Sequence, residues 1–198
     1  HMRSLPKSGF VSMPWKNGGG ETIEIMKWPQ DGDLSHFDWR ISMAQVAMDG
    51  PFSVFPKIDR HLAVLGGKGM VLTIGDDAPV HLKPDGKTHA FAGDRPTSAS
   101  LIDGPITDLN VMVRRGLWQA EVSCHVISGS RRLLVDDDFI LLLVQDGSLH
   151  CSRESNTVSL SQGDAVLFTQ QDASVFLQTP MKSRVWQINL RQHNKDDG

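Results

Sequence analysis

Apolar positions in this chain recur with period two far more often than with period 3.6. Residues 39–46 (WRISMAQV), residues 108–114 (DLNVMVR) and the run Thr22-Ile23-Glu24-Ile25 all alternate apolar and polar side chains. Such alternation sends successive side chains to opposite faces of a half-buried strand. The apolar runs 62–65, 70–74, 80–82 and 139–144 also read as strands, as do 121–127, 157–160, 174–178 and 184–190. Turn residues separate them about every ten positions, the pattern of an all-β sandwich or barrel. No stretch holds a 3.6-residue period over three turns, so any helix is expected to be short.

The strands form a weak internal repeat. Residues 62–65 and 70–74 flank Gly66-Gly67-Lys68-Gly69, which reads as a hairpin, and the turn Phe91-Ala92-Gly93-Asp94 follows. From Ile140 the same order returns, with Gln162-Gly163-Asp164-Ala165 as the second Gly-Asp turn. Each copy closes on a strand that ends in arginine, at Arg115 and at Arg191. This order resembles the cupin, a small jelly-roll barrel. The expectation is a bicupin of two jelly-roll barrels packed together. Residues 2–116 would form a first barrel carrying the pocket, and residues 117–198 a second, structural one.

Matching Arg115 to Arg191 sets Asp108, Asn110, Met112 and Arg114 of the first copy against Arg184, Trp186, Ile188 and Leu190 of the second. The first barrel is then expected to have a polar interior and the second an apolar, filled one.

The stretch WKNGGGETIEIMKW, from Trp15, carries three consecutive glycines. A phosphate loop needs Gly-Lys-Ser/Thr opening a helix, and a dinucleotide fingerprint needs a strand before its glycines and a helix after. Here a strand follows instead. Two readings remain: a tight turn that needs positive φ, or a place where backbone approaches a small ligand.

The formal charge of −3 and the absence of a basic block argue against nucleic acid and acidic membrane surfaces as partners. No apolar run is long enough to span a bilayer, and residues 2–6 lack an apolar signal core. His1 ahead of Met2 reads as a cloning remnant. A cytoplasmic location is expected. The two cysteines, Cys124 and Cys151, form neither a disulfide framework nor a Cys-x-x-Cys pair. There is no His-x-His, the histidines are scattered singly, and Arg60 beside His61 would set a permanent positive charge against a cation. No metal and no cofactor are expected.

A more specific resemblance rests on Trp15, Asn17, Gly18, Gly19, Gly20, Thr22, Glu24 and Ile25, then Trp39-Arg40-Ile41-Ser42 and Gly50-Pro51-Phe52-Ser53. It continues through Phe55-Pro56, Asp59-Arg60, and Asp108, Asn110, Met112, Arg114 and Arg115. Over residues 15–116 the chain resembles the HutD/Ves family of bacterial proteins. The resemblance implies a bicupin fold. It also implies a link to histidine utilisation, where the family has been proposed to bind an intermediate such as N-formylglutamate or urocanate and to restrain pathway output. The Ves branch is associated with cold and stress responses. Two positions depart from the family: Lys57 stands where glycine is expected, and Gly66 where an acidic residue is usual.

The candidate pocket collects Arg40 and Ser42 from one strand face and Asp108, Asn110, Met112 and Arg114 from another, with Arg60 nearby. Buried arginines need anions, and a guanidinium fork matches a carboxylate. Asn17 and Asn110 would add amide groups, Trp15 and Phe55 apolar walls, and Gly18, Gly19 and Thr22 a close backbone approach. Glu24 or Asp59 could instead pair with these arginines in a structural salt bridge. No Ser-His-Asp order or Gly-x-Ser-x-Gly elbow is present. The first reading is a regulatory protein that binds a small anionic metabolite. The alternatives are a cofactor-independent isomerase or hydrolase acting on a small carboxylate, and an interaction module with a vestigial pocket. Sheet edges leave a homodimer open.

Overall fold

The computed structural model describes residues 1–193. Strands β1 (Arg3–Leu5), β2 (Val11–Pro14), β3 (Gly20–Trp28), β4 (Trp39–Val46), β5 (Gly50–Pro51) and β6 (Ile58–Gly66) come first. They are followed by β7 (Met70–Ile74), β8 (Val80–Leu82), β9 (His89–Ala92), β10 (Thr97–Leu101) and β11 (Ile106–Arg114). The series ends with β12 (Trp118–Leu134), β13 (Phe139–Asp146), β14 (Ser148–Arg153), β15 (Asn156–Ser161), β16 (Ala165–Thr169) and β17 (Ser174–Gln192). Two short 3₁₀ turns, Lys7–Gly9 and Gln170–Asp172, are the remaining regular elements among the described residues.

The chain divides into two compact units, Val11–Trp118 and a second made of His1–Phe10 with the chain from Gln119 onward. The N-terminal residues join the later unit because β1 pairs antiparallel with β16, Arg3 opposite Leu167.

In the unit Val11–Trp118, a six-stranded sheet runs β2-β3-β4-β11-β6-β9 and a four-stranded sheet runs β5-β10-β7-β8. Ala44, Val46, Leu62 and Val64 of the first share one core with Met70, Leu72, Ile74 and Ala99 of the second. The glycines expected to make a hairpin do something else. β6 pairs with β11 and β9, while β7 pairs with β10 and β8. The link at 66–69 therefore carries the chain from one sheet to the other. Two glycines there, Gly67 (φ 90°) and Gly69 (φ 108°), lie in the left-handed region, which lets the chain turn sharply enough to leave its sheet. Gly147 marks a similar break in the second unit, where β13 and β14 do not pair with each other but lie on either side of β17 within one sheet. Local sequence shows a sharp turn in both cases, but not which partner each strand finds.

The second unit is a seven-stranded sheet in which β17, nineteen residues long, pairs with β13, β14 and β12. It thus joins what alternation had split into two strands. Its core includes Ile140, Leu142, Val144, Cys151, Phe168, Val175 and Val185. Val185 opposite Val144 fixes the inward face of β17 as Val185, Gln187 and Asn189. The expected inward set, Arg184, Trp186, Ile188 and Leu190, is on the other face, so the repeat is offset by one residue from the Arg115–Arg191 match. The inward polar groups satisfy one another. Gln187 donates to Asn189 Oδ1 at 2.9 Å, Asn189 to Asp137 Oδ2 at 2.7 Å, and Arg191 Nε to Asp137 Oδ1 at 2.7 Å.

Candidate functional site

β11 organises the site. Leu109, Val111 and Val113 are buried on one face. The opposite face is not solvated: Asp108, Asn110 and Met112 are buried as well. Ladder register then fixes their neighbours. Met112 faces Arg40 on β4 and Arg60 on β6, Asn110 faces Ser42 and Leu62, and Asp108 faces Ala44 and Val64. A bulge at Glu24/Met26 in β3 keeps Glu24 opposite Ser42 while Lys27 comes opposite Arg40.

These side chains line a cavity of about 390 Å³. Trp15, Asn17, Thr22, Arg40, Ser42, Phe55, Arg60, Asp108, Asn110 and Met112, all singled out from sequence, stand around it. Gly18, Gly19 and Arg114 lie outside its lining. Lys16, between Trp15 and Asn17 in the glycine-rich stretch, lines the cavity too, and sequence reasoning missed Ala44, Pro51, Phe52 and Ser53. Pro51, Phe52 and Ser53 fall in a stretch that already carried the family resemblance. The segment after the two-residue strand β5 has no alternation from which a direction could be read.

The glycines position an aromatic wall. Gly18 has φ 73°, which closes the turn from β2 into β3. A Cβ on Gly20 would sit 2.2 Å from the Gln45 carbonyl oxygen and 3.1 Å from the Trp15 ring. Glycine there lets the indole lie flat on β3, with its Nε1 donating to Thr22 Oγ1 at 2.8 Å. Asn17 Oδ1 accepts from the Gly19 N–H at 2.8 Å, so this amide oxygen caps its own turn.

The two buried arginines differ. Arg40 Nε donates to Glu24 Oε1 at 2.9 Å, so one guanidinium has an internal carboxylate. Asp59 instead pairs with Arg115 at the surface. Arg60 is 5 % exposed, and no ion pair to it is found among the described residues. Its Nε reaches Asn110 Oδ1 at 3.4 Å, long for a hydrogen bond. The guanidinium carbon lies 5.4 Å from the Phe52 ring, 5.7 Å from Phe55 and 5.3 Å from Phe91. Three rings offset part of its desolvation through their negative faces. Burial lowers the Arg60 pKa to about 10, against the attraction of Asp108, so the group stays charged at neutral pH. Burial pushes Asp108 up to about 7, opposed by the attraction of Arg60 and the Ala44 backbone. Asp108 Oδ1 is buried without a hydrogen-bond partner.

Arg114 belongs elsewhere. Its Nε and Nη2 donate to the Phe37 carbonyl at 3.0 and 2.6 Å, and it lines a second cavity of about 620 Å³ with Phe37 and Lys57. Phe55 borders both cavities, and with Phe37, Ile58 and Met112 it forms a small apolar cluster. Lys57, the departure from glycine, has φ 63°. The loop keeps a glycine-like backbone although its side chain is lysine. Among the described residues, no three His, Cys, Asp or Glu side chains come together as a metal site. No helix among them is long and apolar enough to cross a membrane.

The HutD family pattern matches residues 7–186. The chain belongs to the HutD family. A protein encoded in the region 3′ of hutC in Pseudomonas putida is 31 % identical over 157 residues, 79 % of this chain and 80 % of that one. Protein Ves of Cronobacter sakazakii is 40 % identical over 109 residues, 54 % of this chain, and the match spans just over half (58 %) of Ves. HutD from Pseudomonas fluorescens SBW25, solved in a formate condition, superposes with a TM-score of 0.81 at 28 % identity, covering 98 % of this chain and 100 % of that one. YhhW from Escherichia coli shares the fold alone, with TM-score 0.70 at 8 % identity over 96 % of this chain and 97 % of that one. The HutD family relationship and these neighbours place the molecule among the cupin-like jelly rolls.

Proposed function

We propose that this HutD-family protein binds a small carboxylate metabolite of histidine utilisation, of the N-formylglutamate or urocanate class, and acts as a regulatory binding protein. The observation that carries this reading is Arg60: a buried, charged guanidinium facing a cavity without a carboxylate partner among the described residues. A carboxylate would supply the missing anion. Asn110 and Ser42 offer hydrogen bonds to the rest of such a ligand, and Trp15, Phe52 and Phe55 offer apolar walls. A cavity of about 390 Å³ suits a molecule of that size. A family relative encoded beside hutC supports the pathway assignment.

One observation favours a second reading. Asp108 sits in the cavity with its pKa pushed up to about 7, where a carboxyl can serve as general acid or base. Cofactor-independent isomerisation or hydrolysis of the same class of substrate is the alternative.

Thermal unfolding in the presence of N-formylglutamate, urocanate, glutamate and simple dicarboxylates tests both. A rise in Tm that grows with ligand concentration, with the ligand intact by NMR, is expected. Consumption of the ligand favours the enzyme, and no shift with any of them sinks the binding proposal.

A further inference from the structure

We propose that Asp108 couples carboxylate binding to proton uptake: the anion enters beside Arg60 together with one proton, which Asp108 holds as a neutral carboxyl and presents to a ligand oxygen as a hydrogen-bond donor. This rests on the reading above and adds to it a pH-dependent affinity and a discrimination between ligand types.

Asp108 is 2 % exposed, lines the same cavity as Arg60, and leaves Oδ1 without a partner. Among the described residues neither an ion pair nor a hydrogen bond joins the two side chains. The cavity thus holds the Asp108 carboxyl, with Oδ1 unpartnered, and the Arg60 guanidinium, with no ion pair among the described residues.

The charged groups around Asp108 are few. Arg60 comes from β6, Arg40 from β4 and Glu24 from β3, with the exposed Lys16 at the mouth. Across the core, β7 and β10 contribute Met70, Leu72, Ile74 and Ala99, which do not titrate. No histidine lines the cavity. Glu24 bonds Arg40 directly; Arg40 still repels the charge on Arg60, but Arg60 is the charged group that acts on Asp108. The balance that remains is Arg60 against Asp108. With Asp108 ionised, an incoming anion meets a second negative charge in a space with little water to screen it. With Asp108 protonated, that repulsion disappears and Oδ1 or Oδ2 gains an O–H to donate. Burial already holds the proton on Asp108 to about pH 7, and an anion nearby holds it further.

Calorimetric titration with N-formylglutamate between pH 6 and 9 tests the coupling, because that ligand's own carboxylates are fully ionised throughout. The dissociation constant should be flat at the acid end and rise about tenfold per pH unit on the alkaline side. Buffers of different ionisation enthalpy should report uptake of close to one proton per ligand on that side. D108N should bind with a dissociation constant that no longer changes with pH. The wild-type proton count stands independently if D108N does not fold. Binding with no pH dependence and no proton uptake overturns the coupling alone. Affinity that rises with pH, or is lost in D108N, shows that an ionised Asp108 receives an N–H from the ligand, and also overturns it. No binding at any pH overturns the proposed function and this inference with it.

Discussion

Arg40 and Arg60 flank Met112 in one sheet, one on each side of β11, and only Arg40 is paired with a carboxylate. The two guanidiniums share a cavity wall but differ in their partners. Arg40 is held by Glu24, and Arg60 is held by aromatic rings and backbone register, with no ion pair among the described residues and only the attraction of Asp108 across the cavity.

The first consequence concerns Arg60. R60M should abolish any ligand-induced rise in Tm. Apo stability should stay within about 1 kcal/mol of wild type, because a buried charge exchanged for an apolar side chain of similar volume is close to neutral. Urea denaturation with and without ligand measures both. A loss of several kcal/mol in the apo protein would make Arg60 a structural residue.

Glu24 should behave differently. E24Q leaves Arg40 buried and unpaired, so a loss of about 3 kcal/mol is expected. The double variant E24Q/R40M removes both charges and should recover most of that loss. If the double variant is no better than E24Q, the pair does not act as a unit.

Asp108 gives stability an inverted pH dependence. Its folded pKa is raised above that of the unfolded chain, so its contribution is fully present below about pH 4 and is lost as pH rises through about 7. Over that window the unfolded state releases a proton that the folded state keeps. The stability of wild type minus that of D108N should therefore fall from pH 4 to pH 7, by at most roughly 1.4 kcal/mol per pH unit. Chemical denaturation of both proteins across the range is the check, and a flat difference would mean that Asp108 ionises normally.

Lys57 carries a left-handed backbone without glycine's freedom. K57G should stabilise the protein by about 1 kcal/mol, the strain of a side chain at positive φ. Its N–H bond to Asp94 Oδ2 at 2.9 Å and its carbonyl bond from Arg115 N at 2.8 Å are backbone contacts that glycine retains. A loss of stability in K57G would show that the side chain itself holds the loop.

Alternation located β4 and apolar runs located β7 and β8 to the residue, and alternation placed Arg40 with Ser42 and Asp108 with Asn110 and Met112 on common faces. The pleat of a strand permits no other arrangement, which is why this much of the site was legible. The short strands β1, β5, β9 and β10 were not, because they are too short for a period to show and, unlike β7 and β8, hold no run of large apolar side chains. Phe52 and Phe91, which hold Arg60, lie on or beside such segments.

What the amino-acid order determined by itself was therefore local: where strands run, which side chains share a face, where a glycine must turn the chain, and which family the pattern belongs to. Tertiary structure alone decided that the strands flanking the glycine links do not pair with each other, that the later repeat is offset by one residue, and that Glu24 takes Arg40 and not Arg60. It also decided that the polar face of β11 is enclosed, and enclosure is what withdraws water from Asp108 and Arg60. Those outcomes depend on contacts between residues far apart in the chain, whose distances no local period encodes.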